Sequence, residues 1–240
     1  MKPDVLCAWP VHTDFPMFRH QLRQQRYYFH KVIISFTKMQ AEGDYRDFIR
    51  NAMSQDRITF VDNEPAQAKE DWRDKATNNA LNCSDSEWVL FTEEDFFIFY
   101  PEEFWKMISD LILPPVEFVG YLQDVRIHPC FMLVKREAIN KTTKDFGVVP
   151  DSLDHFGKFT NELKDVPKAF ITETDTKFQE SFHHMNGLSQ NMYLLQTGQE
   201  PNYRPEEFKG YLKACLKLDI PLHSSFVEMV GKYLKVGDVS

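Results

Sequence analysis

The sequence predicts an α/β fold, a Rossmann-like and mostly parallel sheet with flanking helices and a C-terminal helical appendage. Short apolar runs alternate with amphipathic helical segments from the first residues onward, and this pattern is typical of parallel strands joined by crossover helices. An acidic run, Glu93-Glu94-Asp95, directly follows one of the most apolar strands. Ligands of such sheets bind beyond the carboxyl ends of the strands. The acidic run is therefore predicted at the ligand-binding edge.

Composition restricts the class of protein. A chain of 240 residues can bury a sizeable core, and 42% hydrophobic residues exclude general disorder. The net charge of -8 disfavours a large non-specific grip on nucleic acid or on an anionic membrane. No apolar stretch approaches the ~18 residues of a membrane span, and no signal region precedes the first strand, so we expect a soluble, cytoplasmic protein. The four scattered cysteines are expected to be reduced, and the oligomeric state is open.

The first quarter of the chain alternates strand, helix, strand, helix and strand. The predicted strands cover residues 5–9, 31–37 and 58–61, and the predicted helices cover residues 15–28 and 44–54. The residues at the strand ends, Trp9-Pro10, Thr37 and Asp62, would all reach the same edge of a parallel sheet. We therefore expect these strand ends to contribute to a ligand pocket.

A polar helix is predicted immediately before the strand that carries the acidic run. Residues 72–82 are unusually rich in Asn, which is a poor helix former. Polar residues at such a place favour a site: Arg73 could neutralise a phosphate group, and the Asn78 amide could fix either backbone or ligand. The alternative is a solvent-facing helix with incidental charges.

The acidic run itself predicts a cation. Three adjacent carboxylates repel one another, and a fold keeps them only where water, a basic group or a hard cation offsets the charge. On extended backbone Glu93 and Asp95 would project to the same side and could share one ion, whereas Glu94 would point away. A divalent ion, Mn²⁺ or Mg²⁺, is the sharpest candidate. The alternative is a solvated acidic turn between two strands.

The second half predicts further elements of the sheet and two more groups of candidate residues. We predict helices at 101–108 and 156–163, strands at 117–122, 130–134 and 168–172, and two helices within 205–234. In the loop predicted at 123–129, Arg126 and His128 could face a substrate, although a lone histidine is more often structural.

Two candidate groups follow those strands. Asp151 or Asp154 could cap the helix that starts near residue 156. The adjacent His183 and His184 precede a polar loop, where one of them could be a third metal ligand, because neutral imidazole binds Mn²⁺ or Zn²⁺ beside carboxylates. Two surface histidines are the alternative.

Taken in series, several of these pieces resemble the nucleotide-sugar-dependent glycosyltransferases of the GT-A fold. The likeness covers residues 4–100 and includes the proline-terminated first strand, the segment from Arg73 to Asn78 and the acidic strand end. There Glu93-Glu94-Asp95 takes the place of that family's DXD motif, with Glu93 instead of the first Asp. The resemblance implies a single catalytic domain, in which residues 1–100 bind the nucleotide sugar, 101–200 bind the acceptor and 201–240 form a helical tail.

The resemblance also implies a reaction, the transfer of a sugar from a nucleoside diphosphate sugar to a hydroxyl acceptor. It implies Mn²⁺ or Mg²⁺ held by Asp95, Glu93 and His183 or His184. The residues that it implies for the nucleotide sugar are Trp9, Pro10, Thr37, Asp62, Arg73, Asn78 and Glu94. Asp154, or Asp151, would be the catalytic base of an inverting enzyme.

The acceptor is left open by the sequence. A saccharide, a protein side chain, a small molecule or a hydroxymethylated DNA base would each offer a hydroxyl group. The DNA base would need a local basic strip against the overall charge, so a nucleic-acid acceptor is not favoured. The residues that could form such a strip are Arg19, Arg23 and Arg26, or Lys135 and Arg136.

Three rival functions remain at this level. A nucleotidyltransferase on a similar sheet usually carries a glycine-rich, basic phosphate loop near its first strand, and residues 9–18 contain none. A non-catalytic nucleotide-sugar binding protein would keep Arg73 but would not need Asp154. A metal-dependent nuclease would need a strand-binding surface that the acidic composition does not indicate.

Overall fold

The computed structural model describes the parts of the chain that build one central sheet. The described residues are 1–7, 25, 27–36, 58–63, 69–93, 96–123, 126–149, 156–172, 174–175, 178, 181–184 and 215, without the side chains of residues 7, 36, 69–73 and 183. The strands are β1 Asp4–Cys7, β2 Val32–Phe36, β3 Ile58–Asp62, β4 Trp88–Thr92, β5 Phe96–Ile98, β6 Phe118–Gln123, β7 Arg126–Lys135, β8 Lys168–Ile171 and β9 Phe182–His184. The helices are α1 Lys69–Asn82, α2 Pro101–Leu111, α3 Arg136–Ile139 and α4 Gly157–Glu162.

Seven of these strands form a mixed sheet in the order β3-β2-β1-β4-β7-β6-β8. The pairs β2–β3, β1–β2, β1–β4 and β6–β8 are parallel, and β7 is antiparallel to both of its neighbours, β4 and β6. Strands β5 and β9 form a separate antiparallel pair. The predicted mostly parallel α/β sheet with flanking helices is therefore confirmed.

The sheet is covered by aromatic side chains on both faces. Phe91 of β4 lies opposite Met132 of β7, so these two share one face and Phe131 points to the other. Phe91 packs there with three rings at 5.5–5.6 Å between centroids, those of Phe146, Phe156 and Phe159. Phe131 contacts the rings of Phe96, Phe104 and Trp105 on the opposite face. Burial on both faces explains why β4 and β7 are continuous apolar runs.

Helix α2 illustrates how the sequence sets an element. Pro101 occupies the first turn, where its missing N–H costs nothing, and two acids of that turn favour the positive end of the helix dipole. Its buried residues Phe104, Trp105 and Ile108 form one stripe against the sheet. The helix thus follows β5 and covers the face that carries Phe131.

The amino-terminal edge of the sheet is held by a buried carboxylate. Asp4, which is 0% exposed, accepts hydrogen bonds from the hydroxyl groups of Ser84 and Ser86 at 2.8 and 2.7 Å and from the backbone N–H groups of Asp85 and Ser86 at 3.0 and 3.1 Å. His30 Nδ1 lies 2.9 Å away. Burial acts to raise the pKa of Asp4, but these hydrogen bonds outweigh it and the pKa is lowered.

One loop prediction is wrong. Residues 126–129 do not form a loop, because β7 starts at Arg126, which pairs with Gln123 of β6. Pro129 suggested a break in the strand, but it lies where the register of β6 and β7 shifts, and such irregularities tolerate proline. His183 and His184, which were predicted to precede a polar loop, belong to strand β9, and residues 185–191 lie outside the described residues.

Other predicted elements are only partly described. Helix α1 starts three residues before its predicted start, at Lys69. The predicted helices at 15–28, 44–54 and 205–234 lie outside the described residues, apart from Gln25, Cys215 and the turn at Tyr27 and Tyr28. In the described part of the chain, no helix is long and apolar enough to cross a membrane.

Candidate metal and nucleotide site

The carboxyl ends of four parallel strands lie along one edge of the sheet. The register pairs Phe36, the last residue of β2, with Asp62, the last residue of β3, and it pairs Leu6 of β1 with Phe91 of β4. Asp62, which ends β3, is exposed at this edge. Trp9, Pro10 and Thr37 follow the ends of β1 and β2 and lie outside the described residues.

The acidic run connects β4 and β5, and Glu93 is its described residue. The backbone N–H of Glu93 donates to the carbonyl of Cys130 at 3.2 Å, and the Thr92 hydroxyl donates to the same carbonyl at 3.0 Å. The N–H of Phe96 donates to the carbonyl of Glu93 at 3.4 Å, which closes a four-residue turn. Its two central residues, Glu94 and Asp95, lie outside the described residues. The extended backbone predicted for the acidic run falls on these two residues and stays a prediction.

Pairing of β5 with β9 brings a histidine to this turn. Phe96 lies opposite His184 in the antiparallel pair, and His184 Nε2 lies 3.5 Å from Glu93 Oε2. The His184 side chain is 1% exposed and that of Glu93 is 19% exposed. His183 lies on the same strand, and its side chain is outside the described set. The structure thus brings together two of the predicted metal ligands, Glu93 and His184.

Strand β7 adds two side chains that the sequence analysis did not assign to a metal. The ring centroids of His128 and His184 are 4.4 Å apart. The potential ligand atoms of His128, Cys130 and His184 all lie within 4.8 Å of one another, and all three residues are buried. The signal that was available is the His-x-Cys spacing, because residues two apart on a strand share a face. This spacing was not recognised because residues 123–129 were predicted to be a loop.

Burial keeps the His128 imidazole neutral. Desolvation lowers the pKa of His128 to about 4; the negative charge of Glu93 acts to raise this pKa, and the nearby His184 and Arg126 lower it further. Nδ1 of His128 accepts the backbone N–H of Cys130 at 3.2 Å. At neutral pH the ring is therefore uncharged and is positioned by its own strand.

Aromatic side chains form the wall behind this cluster. The Tyr121 ring centroid is 6.3 Å from that of His128 and 5.9 Å from that of His184. Phe96 and Phe182 contact Tyr121 in turn, at 6.0 and 5.7 Å. An apolar wall lowers the local dielectric constant, so electrostatic interactions with Glu93 are stronger here than on an open surface.

The asparagines of α1 fix the protein backbone. Nδ2 of Asn78 donates to the carbonyl of Lys144 at 3.1 Å and to that of Asp74 at 3.1 Å. Nδ2 of Asn79 donates to Asn63, just after β3, at 2.6 Å. Of the two roles considered for Asn78, the structure therefore shows the one toward backbone. Arg73 lies on the same helix, and its side chain is outside the described set.

The predicted caps of helix α4 are not at its N-cap position. That position is Phe156, a non-glycine residue with a positive φ of 69°. Phe156 is buried, and its N–H donates to the carbonyl of Phe146 at 2.8 Å, so packing stabilises a backbone conformation that is usually unfavourable. Asp151 and Asp154 precede it and lie outside the described residues.

Comparison with known proteins relates this architecture to solved structures. No family model matches the sequence, and no curated protein does. The mannosyltransferase PcManGT from Pyrobaculum calidifontis, in complex with GDP-Man and Mn²⁺, superposes with a TM-score of 0.52 over 89% of this chain and 69% of its own, at 18% identity. Residues 1–349 of TarS from S. aureus give 0.52 over 98% of this chain and 75% of their own, at 12% identity. The chain has the GT-A fold.

A third GT-A structure carries both a nucleotide and a metal. Glucosyl-3-phosphoglycerate synthase from Mycobacterium tuberculosis, in complex with Mn²⁺, UDP and phosphoglyceric acid, matches with a TM-score of 0.50 over 84% of this chain and 80% of its own, at 10% identity. At these identities the similarity establishes the fold alone. Within the GT-A sheet of this chain, the Glu93–His184 contact lies at the end of β4, on the ligand-binding edge.

Proposed function

We propose that the protein is a metal-dependent glycosyltransferase that moves a sugar from a nucleoside diphosphate sugar to a hydroxyl acceptor. The observation that carries the proposal is the contact of Glu93, after β4, with His184 of β9 at 3.5 Å. A carboxylate and an imidazole from distant parts of the chain meet there at the ligand edge of a GT-A sheet. Two proteins with similar structures were solved with Mn²⁺ and a nucleotide or nucleotide sugar.

The ligand atoms at this site fit a divalent cation. Glu93 supplies carboxylate oxygen and His184 supplies imidazole nitrogen, and we place Asp95, two residues further along the same turn, as a second carboxylate. Nitrogen ligands suit Mn²⁺ better than Mg²⁺, which strongly prefers oxygen. When bound, such an ion would offset the negative charge that develops on the leaving diphosphate. His183 remains the alternative histidine ligand.

The nucleotide sugar is proposed to bind across the carboxyl ends of β1 to β4. Trp9, Pro10, Thr37 and Asp62 would contact the nucleoside, and Arg73 and Glu94 would lie near the diphosphate. Asp62 is exposed at this edge, which supports its assignment. Asn78 would contribute indirectly, because its bond to Lys144 holds α1, the helix of Arg73, in place.

The acceptor half is proposed to lie in residues 101–200, with residues 201–240 as a helical tail of the same domain. In an inverting reaction Asp154, or Asp151, would accept the proton of the acceptor hydroxyl group. A retaining reaction would not need this base. A saccharide, a protein side chain or a small molecule fits the acidic net charge of -8 better than DNA does.

The experiment is a turnover assay with a panel of nucleoside diphosphate sugars, hydroxyl acceptors and Mn²⁺, read as release of the nucleoside diphosphate. Asp95→Asn removes one of the proposed ligands, and we expect it to lower kcat about 10²–10³-fold, the effect of losing one group that stabilises the transition state. Asp165→Asn, at an exposed position away from the turn, is the matched control. EDTA should abolish turnover in the wild type and in Asp165→Asn.

Two results would overturn the proposal. One is wild-type turnover in Asp95→Asn or in EDTA, because either would remove the cation from the reaction. The other is tight binding of a nucleotide sugar without hydrolysis or transfer under any condition, which would favour the non-catalytic binding protein.

A further inference from the structure

Strand β7 lies beside the candidate cation site and contributes side chains to it. The N–H of Glu93 is hydrogen-bonded to the carbonyl of Cys130, so β7 and the acidic turn are directly joined. The imidazole of His128 lies 4.4 Å from that of His184, between ring centroids. Glu93 Oε2 lies 3.5 Å from His184 Nε2. Two imidazoles and one thiol therefore lie together, and the Glu93 carboxylate lies beside one of these imidazoles.

The chemistry of these four groups selects among metals. Two imidazole nitrogens and a cysteine sulfur are the ligands that Zn²⁺ and similar ions take, whereas Mg²⁺ prefers oxygen alone. Ligand atoms of His128, Cys130 and His184 within 4.8 Å of one another can all approach a single ion, since metal–ligand bonds are about 2.0–2.3 Å long. The cluster is thus close to the size that a four-coordinate ion requires.

We propose that His128, Cys130 and His184 form a transition-metal site of the zinc type, with Glu93 beside His184 at its edge. This inference rests on the proposed function, because Glu93 and His184 belong to the same candidate cation site. It adds ligands and a metal preference that the acidic turn does not supply. Zn²⁺, Co²⁺ and Fe²⁺ are the class of ions it would take.

Charge is one constraint on this ligand set. A bound ion would be held by the thiolate of Cys130 and by both imidazoles as neutral ligands, with the Glu93 carboxylate beside His184. His128, Cys130 and His184 are buried, so an uncompensated charge among them would be costly. On binding, the Cys130 thiol loses its proton to solvent and sulfur donates a lone pair to the ion. The Nδ1 lone pair of His128 would pass from the Cys130 N–H to the ion.

The experiment is a Co²⁺ titration of the full-length, EDTA-treated protein, followed by absorption spectroscopy. A cobalt–thiolate bond produces a charge-transfer band in the near ultraviolet, and four-coordinate Co²⁺ produces intense visible bands. We expect both in the wild type. Cys130→Ser should lose the near-ultraviolet band, and Cys83→Ser, which changes a half-buried thiol at the end of α1, should keep it.

Affinity for Zn²⁺ supplies a second readout. Competition with a chromophoric chelator should show Zn²⁺ binding at least about tenfold weaker in Cys130→Ser and in His128→Gln, because even residues that only support a metal ligand cost 10–100-fold. Cys83→Ser should bind as the wild type does. Wild-type spectra without a thiolate band, or equal affinity in all four proteins, would overturn the inference.

The wild type alone can decide the case if Cys130→Ser does not fold. X-ray absorption at the zinc edge should then show one sulfur neighbour at about 2.3 Å beside nitrogen and oxygen neighbours. A shell of nitrogen and oxygen only would contradict the proposal. Mn²⁺-dependent sugar transfer without a cobalt–thiolate band would overturn this inference and leave the proposed function intact. A cobalt–thiolate band without any sugar transfer would support this inference and contradict the proposed function.

Discussion

Two carboxylates at opposite ends of β4 have opposite surroundings. Asp4 lies beside the amino-terminal end of β4. Its carboxylate accepts hydrogen bonds from hydroxyl and backbone N–H groups of Ser84, Asp85 and Ser86. Glu93 follows the carboxyl-terminal end and is met by His184, with His128 and Cys130 close behind. One carboxylate is surrounded by hydrogen-bond donors, and the other lies beside a cluster of potential metal ligands.

The difference separates a structural role from a binding role. Each oxygen of Asp4 accepts hydrogen bonds from the protein itself, so its charge is compensated without any ligand. Arg136 completes that edge by donating to the hydroxyl of Ser84 and, at 2.8 Å, to the carbonyl of Ser86. Beside Glu93 lies the imidazole of His184, and next to that ring are the imidazole of His128 and the thiol of Cys130, which are residue types that bind metal ions. Asp4 therefore stabilises the fold, and Glu93 is the better candidate for function.

The largest predicted effect is on the Glu93 side. We expect Glu93→Gln to lower metal-dependent turnover about 10²-fold or more, because it removes a negative ligand from the ion while keeping the shape of the side chain. Steady-state kinetics at several Mn²⁺ concentrations would measure it. Glu87→Gln is the matched control, since Glu87 immediately precedes β4 and its side chain is 72% exposed. Equal losses in both variants would remove the distinction between the two ends of β4.

The second effect is on stability. Asp4→Asn replaces an acceptor of several hydrogen bonds by an amide that can accept at one atom only, so donors of the turn at residues 84–86 lose their partner. We expect the free energy of unfolding to fall by about 2–3 kcal/mol, with kcat per folded molecule unchanged. Urea unfolding at pH 7 measures the change. The control Asp85→Asn, whose side chain is 74% exposed, should change stability by less than about 0.5 kcal/mol.

The smallest predicted effect is the pH dependence of the stability that Asp4 contributes. Because the pKa of folded Asp4 is lowered from 3.8, its ionised form stabilises the fold above the unfolded pKa, and this stabilisation is lost as the pH falls through the folded pKa. The stability difference between wild type and Asp4→Asn should therefore be full at pH 7 and shrink from about pH 4 downward. Parallel urea series across that range would test it. A difference that grows on acidification would contradict the assigned direction of the shift.

Local patterns in the sequence were enough for the sheet and for the acidic strand end. The apolar runs at β1 to β4 predict an α/β fold, which is present in the structure, and Glu93 directly follows β4 as its place in the sequence indicates. Local sequence patterns do not show which distant strands pair. His184 reaches Glu93 only because β9 pairs with β5, and Cys130 does so only because β7 pairs antiparallel with β4.

Single residues misled the prediction for similar reasons. Pro129 is usually a sign of a loop, yet a register shift accommodates it within β7. For Asn78 the sequence left backbone and ligand open, and its amide is bonded to the backbone of Lys144, 66 positions further along the chain. Its partner could not be identified without the tertiary structure. Contacts across such distances are set by packing of the whole sheet.

The most direct test of the cation site is a crystal soaked with Mn²⁺ and a nucleoside diphosphate, measured for the anomalous signal of manganese. We predict one peak at bonding distance, about 2.0–2.3 Å, from His184 Nε2 and from a carboxylate oxygen of Glu93 or Asp95, with the diphosphate on its open side. A manganese peak away from the Glu93 turn, or diphosphate bound there without any ion, would contradict the proposed function.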